Sequence, residues 1–484
     1  QSHPNEWAII DGQNNLSNQK YWGLGYECMS TYECEHHHWR FERFEIKNCT
    51  SVDHLNGVGL YMSGGPFLFS HLYIHDNGKV TSGTNNPSGL RSYRMHDSKI
   101  EYCYFKNNYF TDDNCAHVAI FSDYHWQNPP DSVWDINHAI RKNEIRFNVF
   151  DGAYCGFKHK GKQLLVNKHS GTDMRFKEYG DKIHHNIFKN HILAIAANQD
   201  FVQIYNNIID SGGVWSSSMA SSYRDGMNIT VYNNEVKKGF ILLPLDYANP
   251  PTLFHPYYFC VNNIVDSCKN DWDNADISVG LSRNAITQTI TSTDFKVDRN
   301  LVYRPLDAEH YVIGSNTSDK CLGFLTTAKM NSCYGVTNFS SSLSGLYKGT
   351  TNPARFKTNG SFSPGSGFTI SNGGMGGKHP YLDGITFPTY IGAVDPNDDG
   401  WVDGVWDLVH LADSIENTQP VVTNVRLWRG TVTYCDSTDT IFWKADDDKG
   451  VVACSLWVTV NNGSNWQFLT TANGSVDKIS WQIP

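Results

Sequence analysis

A basic run, Lys158-His159-Lys160-Gly161-Lys162, stands out in a chain whose formal net charge is −10. Neighbouring cations depress a lysine pKa, which suits Lys158 or Lys160 to remove a proton near neutral pH. Arg91, Arg175 or Lys162 could neutralise a carboxylate, the arginines through a bidentate fork. His117, Tyr93 or Tyr179 could return a proton to a leaving oxygen. Those three tasks are what β-elimination from a uronate requires. The same run is also an ordinary composition for a solvated, charged turn.

Carboxylates offer a second chemistry. Thr111-Asp112-Asp113-Asn114-Cys115 places two acids side by side, where one could donate a proton while the other activates water. Asp112, Asp113 and Asp123 are equally candidates for hard-oxygen ligands to Ca2+. Two further runs are discounted. Asp395-Pro396-Asn397-Asp398-Asp399-Gly400 imitates the start of a calcium loop, but Trp406 stands where the twelfth-position acid belongs. Glu33-Cys34-Glu35-His36-His37-His38 is rich in ligands, yet consecutive strand side chains point to opposite faces.

The elements that must position these groups announce themselves as a repeat. Alternating apolar residues end in Asn and lead into another short apolar strand. Copies include Phe44-Glu45-Ile46-Lys47-Asn48, Leu72-Tyr73-Ile74-His75-Asp76-Asn77, Tyr104-Phe105-Lys106-Asn107-Asn108, Ile145-Arg146-Phe147-Asn148-Val149-Phe150 and Ile183-His184-His185-Asn186-Ile187-Phe188. The phrase returns around Asn206-Asn207, Asn233-Asn234, Asn262-Asn263 and Arg299-Asn300. Alternation buries every second side chain of a stacked coil, and no 3.6-residue period is present. Asn tolerates a left-handed corner, and its amide can bond the next coil's Asn. The expected fold is all-β: a right-handed parallel β-helix over residues 1–416, closing with Tyr390-Ile391-Gly392-Ala393-Val394-Asp395-Pro396 and Trp401. From 417 to 484, short strands such as Ile441-Phe442-Trp443 and Leu456-Trp457-Val458 predict a small immunoglobulin-like or fibronectin-like β-sandwich serving as an accessory module.

Aligning the strands that follow the corners sets Gly57-Val58-Gly59-Leu60-Tyr61 beside Gly89-Leu90-Arg91-Ser92-Tyr93. His117-Val118-Ala119-Ile120-Phe121, Gly156-Phe157-Lys158-His159-Lys160, Leu193-Ala194-Ile195-Ala196 and Gly213-Val214-Trp215-Ser216 follow. With Val58, Leu90, Val118, Phe157 and Ile195 inward, the outward strip holds Tyr61, Arg91, Tyr93, His117, Lys158 and Lys160. A basic and aromatic strip on an acidic protein suits an anionic glycan, and Tyr61, Tyr93, Trp126 and Trp215 suit stacking on sugar rings.

Asn-cornered coils followed by a Gly-x-Lys-type strand resemble the right-handed β-helix polysaccharide lyases, the pectate-lyase-like and alginate-lyase-like group, over roughly residues 9 to 400. The resemblance implies a Lys or Arg base and a calcium ion offsetting the substrate carboxylate. The Lys-Ser strand and later Arg-His-Gly of the alginate and chondroitin lyases are not reproduced; Lys160-Gly161 and Arg175-Phe176-Lys177 stand nearest. The Asp112-Asp113 pair is similar to that of the β-helix polygalacturonases, but the Asn-Thr-Asp and Gly-His-Gly of the adjoining coils are missing. The expected activity is therefore elimination on a uronate-containing polysaccharide, with a glycoside hydrolase or a non-catalytic glycan binder as alternatives.

Composition bounds the rest. The acidic balance argues against a nucleic-acid partner, and no apolar run is long enough to span a bilayer. The first residue, Gln1, is what removal of an export signal leaves, and twelve cysteines suit an oxidising compartment, so a secreted monomer is expected. Cys28/Cys34, Cys321/Cys333 and Cys435/Cys454 could close loops, whereas Cys103, Cys115 and Cys155 are candidates for packing between coils.

Overall fold

The structure is a computed structural model. It describes residues 7–13, 22–25, 38–50, 57–78, 88–93, 95–108, 116–121, 142–152, 180–190, 194–197, 201–210, 212–215, 229–237, 241–242, 258–266, 277–278, 295–303, 311–313, 321–322, 347–348, 374–395, 400–410, 421–427, 438–446, 453–458, 467–473 and 478–482. The chain divides into two compact units, 1–409 and 410–484.

In the first unit successive short strands wind from one sheet to the next and stack on themselves one coil later, which is the construction of a parallel β-helix. Trp39–Glu42, Phe67–Ser70, Lys99–Glu101, Glu144–Arg146, Lys182–His184, Gln203–Tyr205, Ile229–Tyr232, Tyr258–Val261 and Phe295–Asp298 form a nine-stranded first face. The second face has eleven strands, from Ala8–Asp11 through Tyr104–Lys106 and Ile187–Lys189 to Tyr347–Lys348. The third face is divided between Trp22–Gly25, Val58–Ser63, Ser88–Tyr93 and Ala116–Phe121, and a later six-stranded sheet beginning at Ile195–Ala196. Within these sheets every described pairing is parallel except Tyr311–Ile313 with Cys321–Leu322.

Inward positions form columns of like residues. Phe41, Phe69, Ile100, Ile145, Ile183, Ile204, Val231 and Cys260 fall in register down the first face. On the second face Phe105, Phe150 and Phe188 stack at 5.1 and 4.8 Å, close to the spacing of neighbouring strands. Each such side chain, fully buried, contributes about 1.5–3 kcal/mol relative to exposure.

The corners divide a task that the sequence pattern assigned to a single Asn. Between first and second faces the left-handed residue is Arg43, His71, Tyr102, Phe147, His185, Asn206, Asn233, Asn262 or Arg299, with φ from 51 to 60°. The next residue turns inward. Down the column from Asn148 through Asn186, Asn207, Asn234 and Asn263 to Asn300, each carboxamide oxygen after the first accepts from the preceding rung's backbone N–H and from its Nδ2, the latter at 3.0 Å. A shorter ladder fills the second-to-third corner, where Cys49 N–H donates to Asn77 Oδ1 and Asn77 N–H to Asn108 Oδ1. A third links Phe67, Ser98, Asn143 and Asp181. Buried backbone amides without strand partners are thereby satisfied at all three corners.

Residues 374–395 lie against the later coils. Asn206 Nδ2 donates to Tyr390 Oη and Ala393 O, Asn233 to Tyr390 O and Gly392 O, and Asn262 to Pro388 O. Beneath them Phe201, Tyr232, Phe259, Val261, Leu382 and Phe387 form a second apolar core outside the coil. A short helix, Gly400–Trp406, follows with Val402 and Val405 buried. No helix of the described residues is long and apolar enough to cross a membrane.

The second unit has antiparallel strands. Val421–Leu427 and Lys478–Gln482 flank Thr438–Asp446, and Ala453–Val458 pairs with Gln467–Asn473.

Candidate functional site

The third face carries the described part of the predicted strip. Its register is Leu60, Leu90, Val118 inward, with Tyr61, Arg91 and Ala119 as one neighbouring row and Ser63, Tyr93 and Phe121 as another. The first coil is thus displaced by two residues from the expected alignment, which keeps the sense of alternation but sets Tyr61 beside Arg91 instead of Tyr93. Exposure is where expectation fails. Arg91 is 1% exposed and Tyr61 3%, so this row is covered and not an open, solvated strip.

His117 departs further. It is fully buried and belongs to the inside of the coil, within ring contact of Phe105 and Phe150. The column explains why. A Cβ on Gly59 would come within 2.9 Å of Asn77 Nδ2, and one on Gly89 within 2.8 Å of Asn108 Nδ2, so the glycines make room for the rungs of the shorter ladder. One coil later His117 occupies the glycine position, and Asn108 Nδ2 donates to its Nδ1 at 2.9 Å. The Asn108 amide is oriented by its other bonds, from Asn77 to Oδ1 and from Nδ2 to Ile74 O. Nδ1 is therefore an acceptor, and the His117 proton sits on Nε2. The outward placement read from alternation is corrected to an interior one, because the position shared with Gly59 and Gly89 faces the Asn ladder.

Trp215 lies on the third-face strand Val214–Trp215, in register with Ala196 and Leu242. Lys158, Lys160, Lys162, Arg175, Tyr179, Asp112, Asp113, Asp123 and Trp126 lie outside the described residues. So do Cys28, Cys34, Cys115, Cys155, Cys333 and Cys435. Cys49, Cys103 and Cys260 are buried and free. Burial pushes the thiols of all three up to about 12, which leaves them protonated packing groups. No group of three or more potential metal ligands occurs among the described residues.

Connection lengths differ sharply between corners. From first to second face the chain needs only one or two residues, as in Arg43, His71-Leu72, Tyr102-Cys103 and Phe147-Asn148. The connections bordering the third face include 26–38, 76–87, 122–143, 216–228 and 243–257, and 152–181 joins Val149–Asp151 to Lys182–His184. The last contains the whole basic run and Arg175.

Residues that sequence reasoning passed over sit on the outward rows of the other two faces. On the second face His75 Nδ1 pairs with Asp76, and Nε2 lies 2.9 Å from Glu45 Oε1, to which Lys47 Nζ also donates at 2.9 Å. Burial would lower the His75 pKa, but hydrogen bonds to Asp76 and Glu45 prevail and raise it. Burial likewise works to raise Glu45, and His75 with Lys47 overcome it. The ring of His75 stacks at 4.0 Å on Tyr73, which stacks in turn on Tyr104. These residues stand at alternate positions of the repeat phrases, so the signal was present, but only the register shows which meet.

No protein-family model, no curated protein and no solved structure matches the chain. What its own geometry establishes is an all-β solenoid of parallel sheets, wound as a parallel β-helix.

Proposed function

We propose that this protein cleaves an anionic, uronate-containing polysaccharide by β-elimination on the third face of its β-helix. The observation that carries the reading is the placement of the long connections: they border the third face and spare the corner between the other two. On a solenoid such insertions build the binding surface. The basic run Lys158–Lys162 belongs to the span 152–181, which runs from a second-face strand to a first-face strand where other coils carry a third-face strand, and Arg91 is seated on the third face beside Tyr61. Lys158 or Lys160 acts as the base, Arg175 or Lys162 neutralises the carboxylate, and Tyr93 or Tyr179 protonates the leaving oxygen, while Arg91, being buried, supports the face from within. Ca2+ held by Asp112, Asp113 and Asp123 is the proposed auxiliary cation. The winding is taken as right-handed, following the handedness of parallel crossovers, and the second unit as an immunoglobulin-like accessory module. We further take the protein to be secreted and monomeric.

The test is incubation with alginate, polygalacturonate, ulvan and glycosaminoglycans, with calcium or chelator, following the ultraviolet absorbance of the unsaturated uronate. A rise abolished by Lys158→Ala or Lys160→Ala supports the proposal. New reducing ends without that absorbance assign the chemistry to carboxylates instead. Binding without either signal makes the protein a glycan binder.

A further inference from the structure

On the corner between first and second faces, away from the third face, a chain of hydrogen bonds ends on one half-buried imidazole. Glu101, Arg146, His184 and Tyr205 share one outward row, and Lys99, Glu144 and Lys182 the neighbouring one. Arg146 donates to Glu101 Oε2 at 2.8 and 2.9 Å and to Glu144 Oε1 at 3.2 Å. Glu144 Oε1 lies 3.0 Å from His184 Nε2, and His184 Nδ1 lies 2.7 Å from His185 Nδ1.

The proton positions follow from these contacts. Glu144 is held ionised, its pKa drawn down to about 2 by the bond from His184 against the effect of burial, with Arg146 and Lys99 assisting. A carboxylate only accepts, so His184 Nε2 carries the proton. Burial and Arg146 keep His184 neutral, hence its Nδ1 accepts and His185 Nδ1 is the donor. His185 Nε2 is left with its lone pair, the ring's described hydrogen bond being the one at Nδ1. Burial, with His184 and Arg146, lowers the His185 pKa to about 3.

The surroundings are those of a site. The His185 ring meets Trp401 edge-on at 5.0 Å, Phe147 at 5.3 Å and Tyr205 at 6.1 Å. Its backbone is left-handed, with φ 54°, in a row where the later coils use Asn206, Asn233 and Asn262.

We propose that Glu144, His184 and His185 form a hydrogen-bonded relay that presents His185 Nε2 as a fixed acceptor, binding a hydroxyl-bearing ligand with an apolar face, such as a saccharide ring, against Trp401 and Phe147. The ligand hydroxyl donates to Nε2, and the Nδ1 proton of His185 stays directed at His184 Nδ1, so the acceptor tautomer is held in place. His184 and Glu144 are positioning residues; only His185 would touch the ligand.

The test uses the intact chain and diethyl pyrocarbonate, which acylates only deprotonated imidazole, with N-acetylhistidine as internal standard and mass spectrometry locating the modified residue. The standard slows about tenfold per pH unit below its pKa of ~6.5. His185 is expected to react at a rate nearly constant from pH 7.5 to 4.5. Glu144→Gln and His184→Gln are each expected to slow it about tenfold or more at pH 5, with circular dichroism unchanged, and Glu144→Asp to restore part of the rate. An unmodified His185, a pH profile following the standard, or a rate indifferent to both Gln variants would overturn the proposal.

Discussion

Asn207→Ala tests whether the interior amides hold the coils together. Asn207 Oδ1 accepts from Asn186 N–H at 3.2 Å and Asn186 Nδ2 at 3.0 Å. Its Nδ2 donates to Ile183 O, Tyr205 O and Asn234 Oδ1 at 2.9 to 3.1 Å. Asn186 Nδ2 keeps Ile145 O and His184 O, and Asn234 Oδ1 keeps the backbone N–H of residue 207, so those groups survive truncation. The Asn186 N–H loses its acceptor and the Ile183 and Tyr205 carbonyls each lose a donor. With ~1–3 kcal/mol for each buried polar group left unmade, three groups give about 3–9 kcal/mol, and the second lone pair of each carbonyl holds the loss toward the lower end. A solenoid couples mainly through neighbouring repeats, so the assay must be local. Hydrogen exchange of a peptide covering 182–190 is expected to accelerate about 10²- to 10³-fold, while one covering 67–75 holds. Asn190→Gly is the control, because residue 190 has a left-handed φ of 59° that Gly accepts and Ala would strain. Its side chain makes an exposed 2.8 Å bond to Asp151 Oδ1, and it should change exchange by less than about threefold. Equal effects from the two substitutions, or less than tenfold at Asn207, would refute the ladder as a source of stability.

His75 has a raised pKa, so its contribution is fully present below the unfolded value near 6.5 and fades as pH rises through the folded value. Glu45 is depressed, and its contribution is present above about 4.5 and fades as pH falls through its folded value. His75→Gln should therefore destabilise most between about pH 4.5 and 6.5 and progressively less in alkali, read as the melting-temperature difference from wild type across pH; a difference that grows above pH 8 would contradict the ion pairing. Cys103 stands at the end of the long ladder, its N–H donating to Asn148 Oδ1 and its Sγ lying 3.3 Å from Glu101 O, where an Asn rung places Nδ2. Cys103→Ala should cost about 1–2 kcal/mol through lost packing and that weak bond, measured by denaturant midpoint, and no thiol reagent should label residue 103 in the native protein. Asn262→Gly, which suits the left-handed φ of 59° there, removes the bonds to Pro388 O and Asn233 Oδ1 and from Met375 N–H, and should raise cleavage within 374–395 in limited proteolysis severalfold, with less effect on the coils. Unaltered cleavage there would mean that the apolar contacts of Phe259 and Phe387 hold the segment alone.

The period of two, the recurring Asn and the spacing of the phrases are local properties, and they were enough to determine strands, corners and stacked parallel sheets. Their physical reason is local as well: alternation decides burial, and few residues tolerate a left-handed corner while carrying an amide. What the phrases concealed was which corner each belonged to. Tyr104-Phe105-Lys106-Asn107-Asn108 runs into the second-to-third corner, whereas Ile145-Arg146-Phe147-Asn148-Val149-Phe150 spans the first-to-second, and both read alike along the chain. Only tertiary structure assigned Asn77 and Asn108 to one ladder and Asn148 to another. Only tertiary structure, again, turned His117 inward to complete the shorter ladder and covered Arg91 and Tyr61. The same holds for His75 with Glu45 and for Glu144 with His184: the partners stand 30 and 40 residues apart in sequence, and they meet because stacking brings equivalent rows of successive coils side by side. Register across coils depends on the length of every intervening connection, and no window of sequence contains it.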